Sequence, residues 1–508
     1  MVEAFQEVVG HVFSSEGSYG SERVEVTLLA NKSVYRGEYL CIKHPAEDKP
    51  VFIQVETASL RRPSASYEEK LLRDGDVVQD PEKIIGKAFC WQVGYEDSGL
   101  IRPLLTPIPP LTPVYRPSPE ALSQFISPDG PGVTIGTIYP TDVRLRLSLK
   151  ILFRQGALVV GGVGTGKSTL LMSMMLKILK TVLNVHILLI DWDGEFTSKV
   201  LEETARQHGG YQRITSSTRL ARKEKSLSPA SWYNSFRTRA GLSGNSREAR
   251  TLYAITKKLE EDGVNSIEWS QQGLEKILSM VEAEDVRKRL EEIGRNIFKH
   301  APEENGVDIV ETVRTNALVH VDFSDASNWD EIMNRSREML EACYMQARAD
   351  PTFGVAVFID EVHNFAPQSP HEGAASREAY DAMIPVMKLI ATTGPRNGVP
   401  LFLATQRLSE VDKFISTQMG QNIFAFRVED VDLERLRSIM GSDIAYSARL
   451  LPRGYCIYKG HALKIQRPVI CVVDKEADVA SVGKDLLTRW ETNSPQLQQN
   501  GGAAAGNR

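Results

Sequence analysis

The 508-residue chain has few cysteines and no long apolar segment. Its five cysteines are far apart and show no CxxC spacing, which excludes a disulfide framework or a zinc site and predicts reduced thiols. No uncharged apolar run approaches the roughly 18 residues that span a bilayer. The first residues carry Glu3 and Glu7 instead of the basic start of a signal peptide. We therefore expect a cytoplasmic protein without a membrane segment.

Neither sign of charge dominates the composition. The 60 Lys and Arg residues face 65 Asp and Glu residues, a formal net charge of −5. This balance excludes a protein whose whole surface coats nucleic acid, but it allows a local basic channel. A hydrophobic content of 42% with 25% charged residues is typical of globular proteins. The length leaves room for two to four domains, and we find no internal repeat.

The N-terminal part of the chain has the pattern of a small β-barrel. Residues 1–102 contain short apolar–polar alternations separated by turn-forming residues, with little helical pattern between them. Seven prolines then fall between Pro103 and Pro119. Because proline fixes φ and removes a backbone donor, we predict an extended proline-rich connector over residues 103–134.

The remainder, residues 135–490, is predicted to be an α/β unit. Short apolar runs alternate with helical segments, which favours a mostly parallel sheet with helices on both faces. The predicted strands are 157–160, 186–190, 318–323, 355–359, 401–404 and 423–427. A charged helical insertion is expected at about 205–310. Residues 491–508 have almost nothing apolar to bury, so they are predicted to be a disordered tail.

The clearest chemical signal is a phosphate-binding loop. Residues 161–168 read GGVGTGKS, the pattern GxxxxGK[ST], between an apolar strand and an amphipathic helix. Glycines let consecutive N–H groups face a β-phosphate, and the helix adds its positive end. Lys167 is expected to bridge the β- and γ-phosphates, and Ser168 to ligate Mg²⁺. The predicted nucleotide-binding residues are Gly161, Gly162, Val163, Gly164, Thr165, Gly166, Lys167, Ser168 and Thr169.

Carboxylates follow two other predicted strands. Asp360 and Glu361 end the strand at 355–359, where Asp360 can hold the Mg²⁺ water shell and Glu361 can polarise the attacking water. Asp191, Asp193 and Glu195 follow the strand at 186–190. These three acids either reach the metal and phosphates or cap the following helix.

Three further features each have two readings. Gln406, at the tip of the strand at 401–404, either senses the γ-phosphate or caps the next loop. His363 either relays the nucleotide state or is structural. The stretch 213–258 has a net charge of +9 and contains Trp232, Tyr233 and Phe236. This stretch either contacts DNA, through phosphates and base stacking, or is a solvated helix face.

Taken in order, these motifs resemble the HerA family within the HerA/FtsK branch of the P-loop ATPases. The resemblance rests on GGVGTGKS at 161–168, DWDGEF at 191–196, DEVHNF at 360–365 and ATQR at 404–407. It implies a RecA-like core behind an N-terminal barrel of the HAS-barrel kind. It further implies a homo-hexameric ring that binds ATP and Mg²⁺ between subunits and moves double-stranded DNA through its pore, with a nuclease or other effector docked on the barrel face.

The family pattern also implies an arginine that acts across the subunit interface, and here the sequence departs from it. The expected position holds Pro395, followed by Arg396. A guanidinium reaching a neighbour's phosphoryl group stabilises the transition state, so Arg396 is the first choice. Arg407, Arg427 and Arg453 are the alternatives.

Two other functions are compatible with the same nucleotide site. One is an ATP-gated ring scaffold that assembles and activates an effector enzyme. The other is a secretion- or conjugation-type pumping ATPase, which the lack of a membrane segment disfavours. The sequence does not separate the scaffold from the translocase, because both require the same ATP site.

Overall fold

We analysed a computed structural model of the chain. It describes residues 5–13, 22–29, 32–44, 49–61, 85–218, 220, 226–240, 242–244, 246–264, 266–298, 306–369, 374–441 and 443–477. The predicted tail at 491–508 lies outside the described residues.

The first unit is a closed β-barrel, as the alternating pattern predicts. Its strands are β1 (Phe5–Phe13), β2 (Arg23–Leu28), β3 (Tyr39–Lys43), β4 (Pro50–Arg61), β5 (Ile85–Asp97), β6 (Leu100–Arg102) and β7 (Pro113–Pro117). The order β2-β1-β7-β3-β4-β5 closes on itself through a β2–β5 pairing, and β6 extends β5 as a hairpin. Closure leaves these six strands without a free edge.

The predicted connector at 103–134 is not a connector, because both folded units use it. β7 pairs antiparallel with β1 and β3, and Leu104 and Ile108 are buried in the barrel core. Two prolines, Pro113 and Pro117, bound β7, so the strand keeps the N–H groups between them. Helix α1 (Pro119–Ile126) then begins with Ser118, whose side chain accepts from the amide of Ala121 at 3.2 Å. Proline is therefore compatible with folded structure throughout this segment.

The second unit is built on an eleven-stranded mixed sheet. Its strands are β8 (Gly132–Ile138), β9 (Arg144–Ser148), β10 (Ala157–Val160), β11 (Ile187–Asp191), β12 (Tyr211–Thr215), β15 (Leu318–Asp322), β16 (Ala356–Ile359), β17 (Leu401–Thr405), β18 (Asn422–Ala425), β19 (Tyr455–Gly460) and β20 (Val469–Val473). The order is β12-β15-β11-β16-β17-β10-β18-β19-β20-β8-β9. The first seven are parallel and the last four antiparallel. The α/β, RecA-like fold is therefore confirmed, and all six predicted strands are present.

Helices cover both faces of this sheet. They are α2 (Leu149–Gln155), α3 (Lys167–Thr181), α4 (Lys199–Gln207), α9 (Ile309–Thr315), α10 (Trp329–Ala349), α11 (Arg377–Thr393), α12 (Lys413–Met419) and α13 (Asp430–Met440). Strands of the parallel part, such as β10 and β17, are buried along their whole length. This burial explains their continuous apolar sequences.

The helical insertion forms a small unit with its own core. It contains α5 (Pro229–Arg239), α6 (Arg247–Glu261), α7 (Gln271–Leu278), α8 (Glu284–Phe298), and the short strands β13 (Ser226–Leu227) and β14 (Ile267–Glu268). A bridge between Leu220 and Val307 brings its two ends together. The insertion therefore leaves and rejoins the main unit at one place, after strand β12 of the main sheet.

The barrel is packed firmly against the ATPase unit. The rings of Phe52 and Phe125 stack with centroids 3.8 Å apart, and both are buried. The carbonyl of Pro468 accepts hydrogen bonds from Tyr39 Oη at 3.2 Å and Gln54 Nε2 at 2.6 Å. Because apolar and polar contacts both cross the junction, we expect the two units to unfold together.

Within the described residues, no helix is both long and apolar enough to cross a membrane. The five cysteines are buried free thiols, as the sequence predicts. Cys456 and Cys471 face each other across β19 and β20 with their sulfurs 3.3 Å apart. Burial raises the pKa of the Cys456 thiol well above its ordinary value, which disfavours the reactive thiolate.

The junction gives a direct test of this packing. The substitution Phe52→Ala removes one ring of the buried stack and leaves a cavity, which we expect to destabilise the protein by about 3–5 kcal/mol. Phe89→Ala, on a partly exposed ring of the same barrel, is the matched control and is expected to change stability by about 1 kcal/mol or less. Urea unfolding followed by tryptophan fluorescence measures both. Equal losses in the two variants would show that the junction contributes little.

Candidate active site

The phosphate loop lies at the carboxyl ends of the parallel strands. It connects β10 to α3, and Gly164 and Gly166 have left-handed φ angles of 68° and 124°. A side chain at either position would be strained, so the glycines of the motif are conformationally required. Neighbouring strands hold the loop in place: the amide of Gly162 donates to the carbonyl of Arg427 at 2.8 Å, and that of Gly454 donates to the carbonyl of Thr165 at 2.9 Å.

Lys167 is buried at the start of α3. Its Nζ lies 3.2 Å from the carbonyl oxygen of Gly162 and 3.7 Å from Oε1 of Glu361. A buried ammonium requires such partners, because its transfer out of water is costly. The structure thus brings together two residues that the sequence places 194 positions apart and assigns to one site.

Glu361 follows β16 in a strained backbone conformation. Its φ and ψ of 47° and 50° are left-handed, a conformation that costs a residue with a side chain about 1–3 kcal/mol. Its Oε2 accepts the amide of Gln406 at 2.9 Å and lies 3.2 Å from Nδ1 of His363. Burial opposes ionisation, but the contacts with His363, Lys167 and Gln406 outweigh it and hold the pKa of Glu361 below its ordinary value. The carboxylate is therefore charged and fixed.

The other predicted carboxylate, Asp360, is buried directly beside Glu361. Burial, together with the charges of Glu361 and Glu195, raises the pKa of Asp360 well above its ordinary value. Burial raises the pKa of Glu195 above its ordinary value, and the side chains of Ser168 and Asp360 beside it oppose this rise. Two residues that the sequence assigns to Mg²⁺ therefore lie around one carboxylate from the turn after β11.

Asp191 and Glu195, in the acidic turn at 191–195, make different contacts. Asp191 accepts backbone amides of Gly194, Glu195 and Phe196 at 2.9–3.1 Å, and His320 Nε2 lies 3.0 Å away. Asp191 therefore caps the turn itself and not the following helix, whose N-cap position is Ser198. Glu195 lies beside Ser168 and Asp360, the two residues predicted to hold Mg²⁺, and its own contact with the metal shell stays a prediction.

The remaining polar residues of the site are at the tip of β17. The amide of Gln406 fixes Glu361, so the loop after β17 is held against the one after β16. Thr405, which the sequence analysis did not single out, is buried there. Its Oγ1 accepts the amide of Arg407 at 3.1 Å and lies 3.2 Å from Nδ1 of His363. The signal that could have identified it is its position between Ala404 and Gln406 at a strand tip.

The four candidate arginines are exposed and lie in different places. Arg396 is in a turn before β17, at the sheet edge opposite the phosphate loop. Arg407 follows β17 and pairs with Glu410 at 2.7 Å. Arg427 and Arg453 flank the phosphate loop of their own chain, because Arg427 itself and Gly454 bond to it. Arg427 and Arg453 therefore lie beside the phosphate loop of their own chain, whereas Arg396 lies at the opposite ends of the strands.

Two of the three aromatic rings in the basic stretch are not available for base stacking. Trp232 and Phe236 are fully buried and stack on each other with centroids 5.0 Å apart. They form the core of the insertion, together with residues such as Leu252 and Leu274. Base stacking by Trp232 and Phe236, part of one of the two alternatives for this stretch, is therefore excluded. Aromatic composition alone does not distinguish a surface ring from a core ring.

The residues at the sheet edge fit a nucleotide with its metal. A glycine loop, a helix start, a buried lysine and a strand-end carboxylate supply donors for phosphates and oxygens for Mg²⁺. Among the described residues, no group of three or more His, Cys, Asp and Glu side chains could hold a metal ion by itself. Ser168 and Asp360 are the oxygen ligands available to Mg²⁺ here, and substrate phosphates and water usually complete the shell of this ion.

Comparison with known families agrees with this geometry. Residues 133–332 match the family model for the central domain of the helicase HerA, and residues 266–426 match that of the ATPase family associated with various cellular activities (AAA). The expected similarity to HerA is therefore confirmed for the central part of the chain, which is a nucleotide-binding P-loop ATPase. No curated protein sequence matches the chain.

Solved structures with a similar chain trace share little sequence with it. VirB4 of Thermoanaerobacter pseudethanolicus is 14% identical, with a TM-score of 0.45 over 68% of this chain and 98% of its own. The bacterial conjugative coupling protein TrwB is 12% identical, with a TM-score of 0.43 over 72% and 95%. The genome packaging NTPase B204 from Sulfolobus turreted icosahedral virus 2, in complex with ATP-gammaS, is 14% identical, with a TM-score of 0.32 over 62% and 98%.

Asp193 gives the site a measurable pH dependence. Burial, followed by the charges of Asp191 and Glu195, raises its pKa from 3.8 to about 6. An acid with a raised folded-state pKa destabilises the fold once ionised, so stability falls as pH rises from about 4 to about 6. Nucleotide-free Asp193→Asn is therefore expected to melt at a higher temperature than the wild type at pH 7.5, and the gap is expected to shrink at pH 5. A gap that is constant with pH would contradict the assignment.

Proposed function

We propose, from the premise that residues 133–332 form the central domain of a HerA-type ATPase, that the chain is an ATP-dependent translocase for double-stranded DNA. It acts as a homo-hexameric ring with DNA in its central pore. The observation that supports this most directly is the buried contact between Lys167, in the region that matches the HerA helicase, and Glu361, in the region that matches the AAA ATPases. Contacts of such a motor with DNA phosphates carry little sequence preference.

Each residue of the site has a role in the proposed reaction. The amides of residues 161–169 bind the phosphates, and Lys167 bridges the β- and γ-phosphates. Ser168 and Asp360 would hold Mg²⁺ and its water, and the ion would neutralise charge that develops on the phosphates. Glu361 polarises the attacking water, and Gln406 senses the γ-phosphate.

The position of Arg396 supports the proposed ring. Arg396 is exposed at the sheet edge opposite its own phosphate loop, and we propose that it serves a neighbouring subunit's site. A guanidinium supplied in this way stabilises charge on the transferring phosphoryl group. Hydrolysis then depends on contact between protomers, which couples the chemistry to the motion of the ring.

A partner on the barrel face completes the proposal. The barrel unit carries three strongly exposed leucines, one in β6 and two in the segment between β6 and β7: Leu100, Leu105 and Leu111 are 65%, 83% and 76% exposed. Exposed apolar side chains grouped on one unit are typical of a protein-binding surface. We propose that a nuclease or other effector docks there and supplies any DNA cleavage.

Stimulation by DNA separates the proposed translocase from an ATP-gated scaffold. We expect Mg²⁺-ATP turnover to rise several-fold with linear duplex DNA, and light scattering to give the mass of a hexamer. Lys167→Ala is expected to lower turnover by about a hundredfold or more, because its charge binds the phosphates in the transition state. Lys177→Ala, a lysine of the same helix that pairs with Asp474 at 2.5 Å, is the matched control with near-normal turnover. Full ATPase activity without any DNA response would favour the scaffold.

The arginine can be assigned by mixing two inactive variants. Lys167→Ala and Arg396→Ala protomers, co-assembled in equal amounts, pair an intact phosphate loop with an intact neighbouring arginine at about one interface in four. We therefore expect about a quarter of wild-type ATPase activity in the mixed ring. An arginine acting within its own subunit would give no recovery. If Arg396→Ala alone has normal turnover, the trans residue is another arginine.

A further inference from the structure

His363 contacts both the carboxylate at the end of β16 and the tip of β17. Its Nδ1 is 3.2 Å from Oε2 of Glu361 and 3.2 Å from Oγ1 of Thr405. The histidine side chain is only 15% exposed, and Thr405 is fully buried. The ring therefore links two strand ends that both face the phosphate loop.

The hydrogen-bonding capacities of these groups fix the proton on the ring. A carboxylate can only accept, so the contact with Glu361 requires that Nδ1 of His363 carry hydrogen. Thr405 Oγ1 already accepts the amide of Arg407, and its second lone pair accepts a share of the same Nδ1–H. Every close contact is satisfied when Nδ1 is a donor shared between Oε2 and Oγ1.

The two oxygens of Glu361 consequently have different surroundings. Oε2 receives Nδ1–H of His363 and the amide of Gln406, whereas the partner of Oε1 among the residues that the structure describes is Lys167, at 3.7 Å. We propose that His363 is a positioning residue that anchors Oε2, so that Oε1 is the atom that meets the attacking water once phosphates draw Lys167 away. Of the two oxygens, Oε1 is the one whose partner, Lys167, can leave it for the phosphates.

The contact between His363 and Thr405 also connects Glu361 to the end of β17, which Gln406 and Arg407 follow. Thr405, through its hydroxyl, joins His363 to the amide of Arg407. A shift of the β17 tip would therefore move Oε2 of Glu361. The inference rests on the proposed role of Glu361 as the base, and it does not require that DNA be the substrate.

Three variants of His363 test the donor directly. Asparagine places its amide nitrogen where Nδ1 was, glutamine places its own near Nε2, and alanine removes both. In DNA-free steady-state assays, we expect kcat of His363→Ala and His363→Gln to fall about tenfold, since a misplaced base loses rate steeply. His363→Asn is expected to stay within about threefold of the wild type, with KM for ATP unchanged in all three.

Variants at other positions distinguish the inference about His363 from the proposed role of Glu361. Thr405→Ser is expected to keep kcat and Thr405→Val to lower it, because only serine retains the shared oxygen. His186→Asn, whose ring bonds the Asn316 carbonyl at the amino end of β11, is the control and is expected to match the wild type. Normal kcat in His363→Ala, or equal kcat in the asparagine and glutamine variants, would overturn the inference. Normal turnover in Glu361→Gln would instead overturn the base assignment in the proposed function.

Discussion

A buried lysine and a buried glutamate, 3.7 Å apart, are the constraint on which the rest of the site depends. Lys167 and Glu361 are each only 5% exposed, so neither charge is stabilised by much water. Desolvation of an isolated ion costs several kcal/mol, and hydrogen bonds around the pair must compensate for it. The carbonyl of Gly162, the amide of Gln406 and the ring of His363 supply them. Phosphates bound in the loop would replace the glutamate as the partner of the lysine.

The fold brings these groups together because parallel strands end at a common edge. β10, β16 and β17 are neighbours, and the loops that follow them carry the phosphate-binding glycines, Asp360 with Glu361, and Gln406. The antiparallel strands β19 and β20 extend the same sheet toward the barrel. Gly454, at the start of β19, bonds to the phosphate loop, and Pro468, before β20, bonds to the barrel. A short segment of chain thus joins the nucleotide site to the N-terminal unit.

Local patterns predicted the parts of this site that depend on local chemistry. The phosphate loop and the strand-end acids were recognised because glycine spacing and apolar runs report directly on backbone conformation. Edge strand β12 was missed, since only Ile214 in it is buried and no apolar run marks it. The prolines at 103–119 predicted a connector, but the pairing of β7 with distant β1 and β3 overrides local preference.

Local sequence patterns could not predict the contacts between segments that are distant in the chain. Nothing local in Val362-His363-Asn364 shows that the ring meets Thr405, because β16 and β17 become neighbours only through the whole sheet. Trp232 and Phe236 likewise lie in the core of the insertion although they occur in a basic stretch. The sequence also does not show that Arg427 and Arg453 lie beside the phosphate loop while Arg396 lies far from it. That difference depends on the three-dimensional arrangement.

The central claim is that bound phosphates replace Glu361 as the partner of Lys167. Meanwhile Oε2 of Glu361 keeps its contacts with His363 and Gln406. A cryo-electron microscopy structure with a non-hydrolysable ATP analogue and Mg²⁺ measures this most directly. The account predicts that Lys167 Nζ contacts the β- and γ-phosphates and leaves Oε1, while Oε2 keeps the amide of Gln406 and Nδ1 of His363. A nucleotide-bound structure in which Lys167 remains paired with Glu361, or in which His363 has left Oε2, would contradict it.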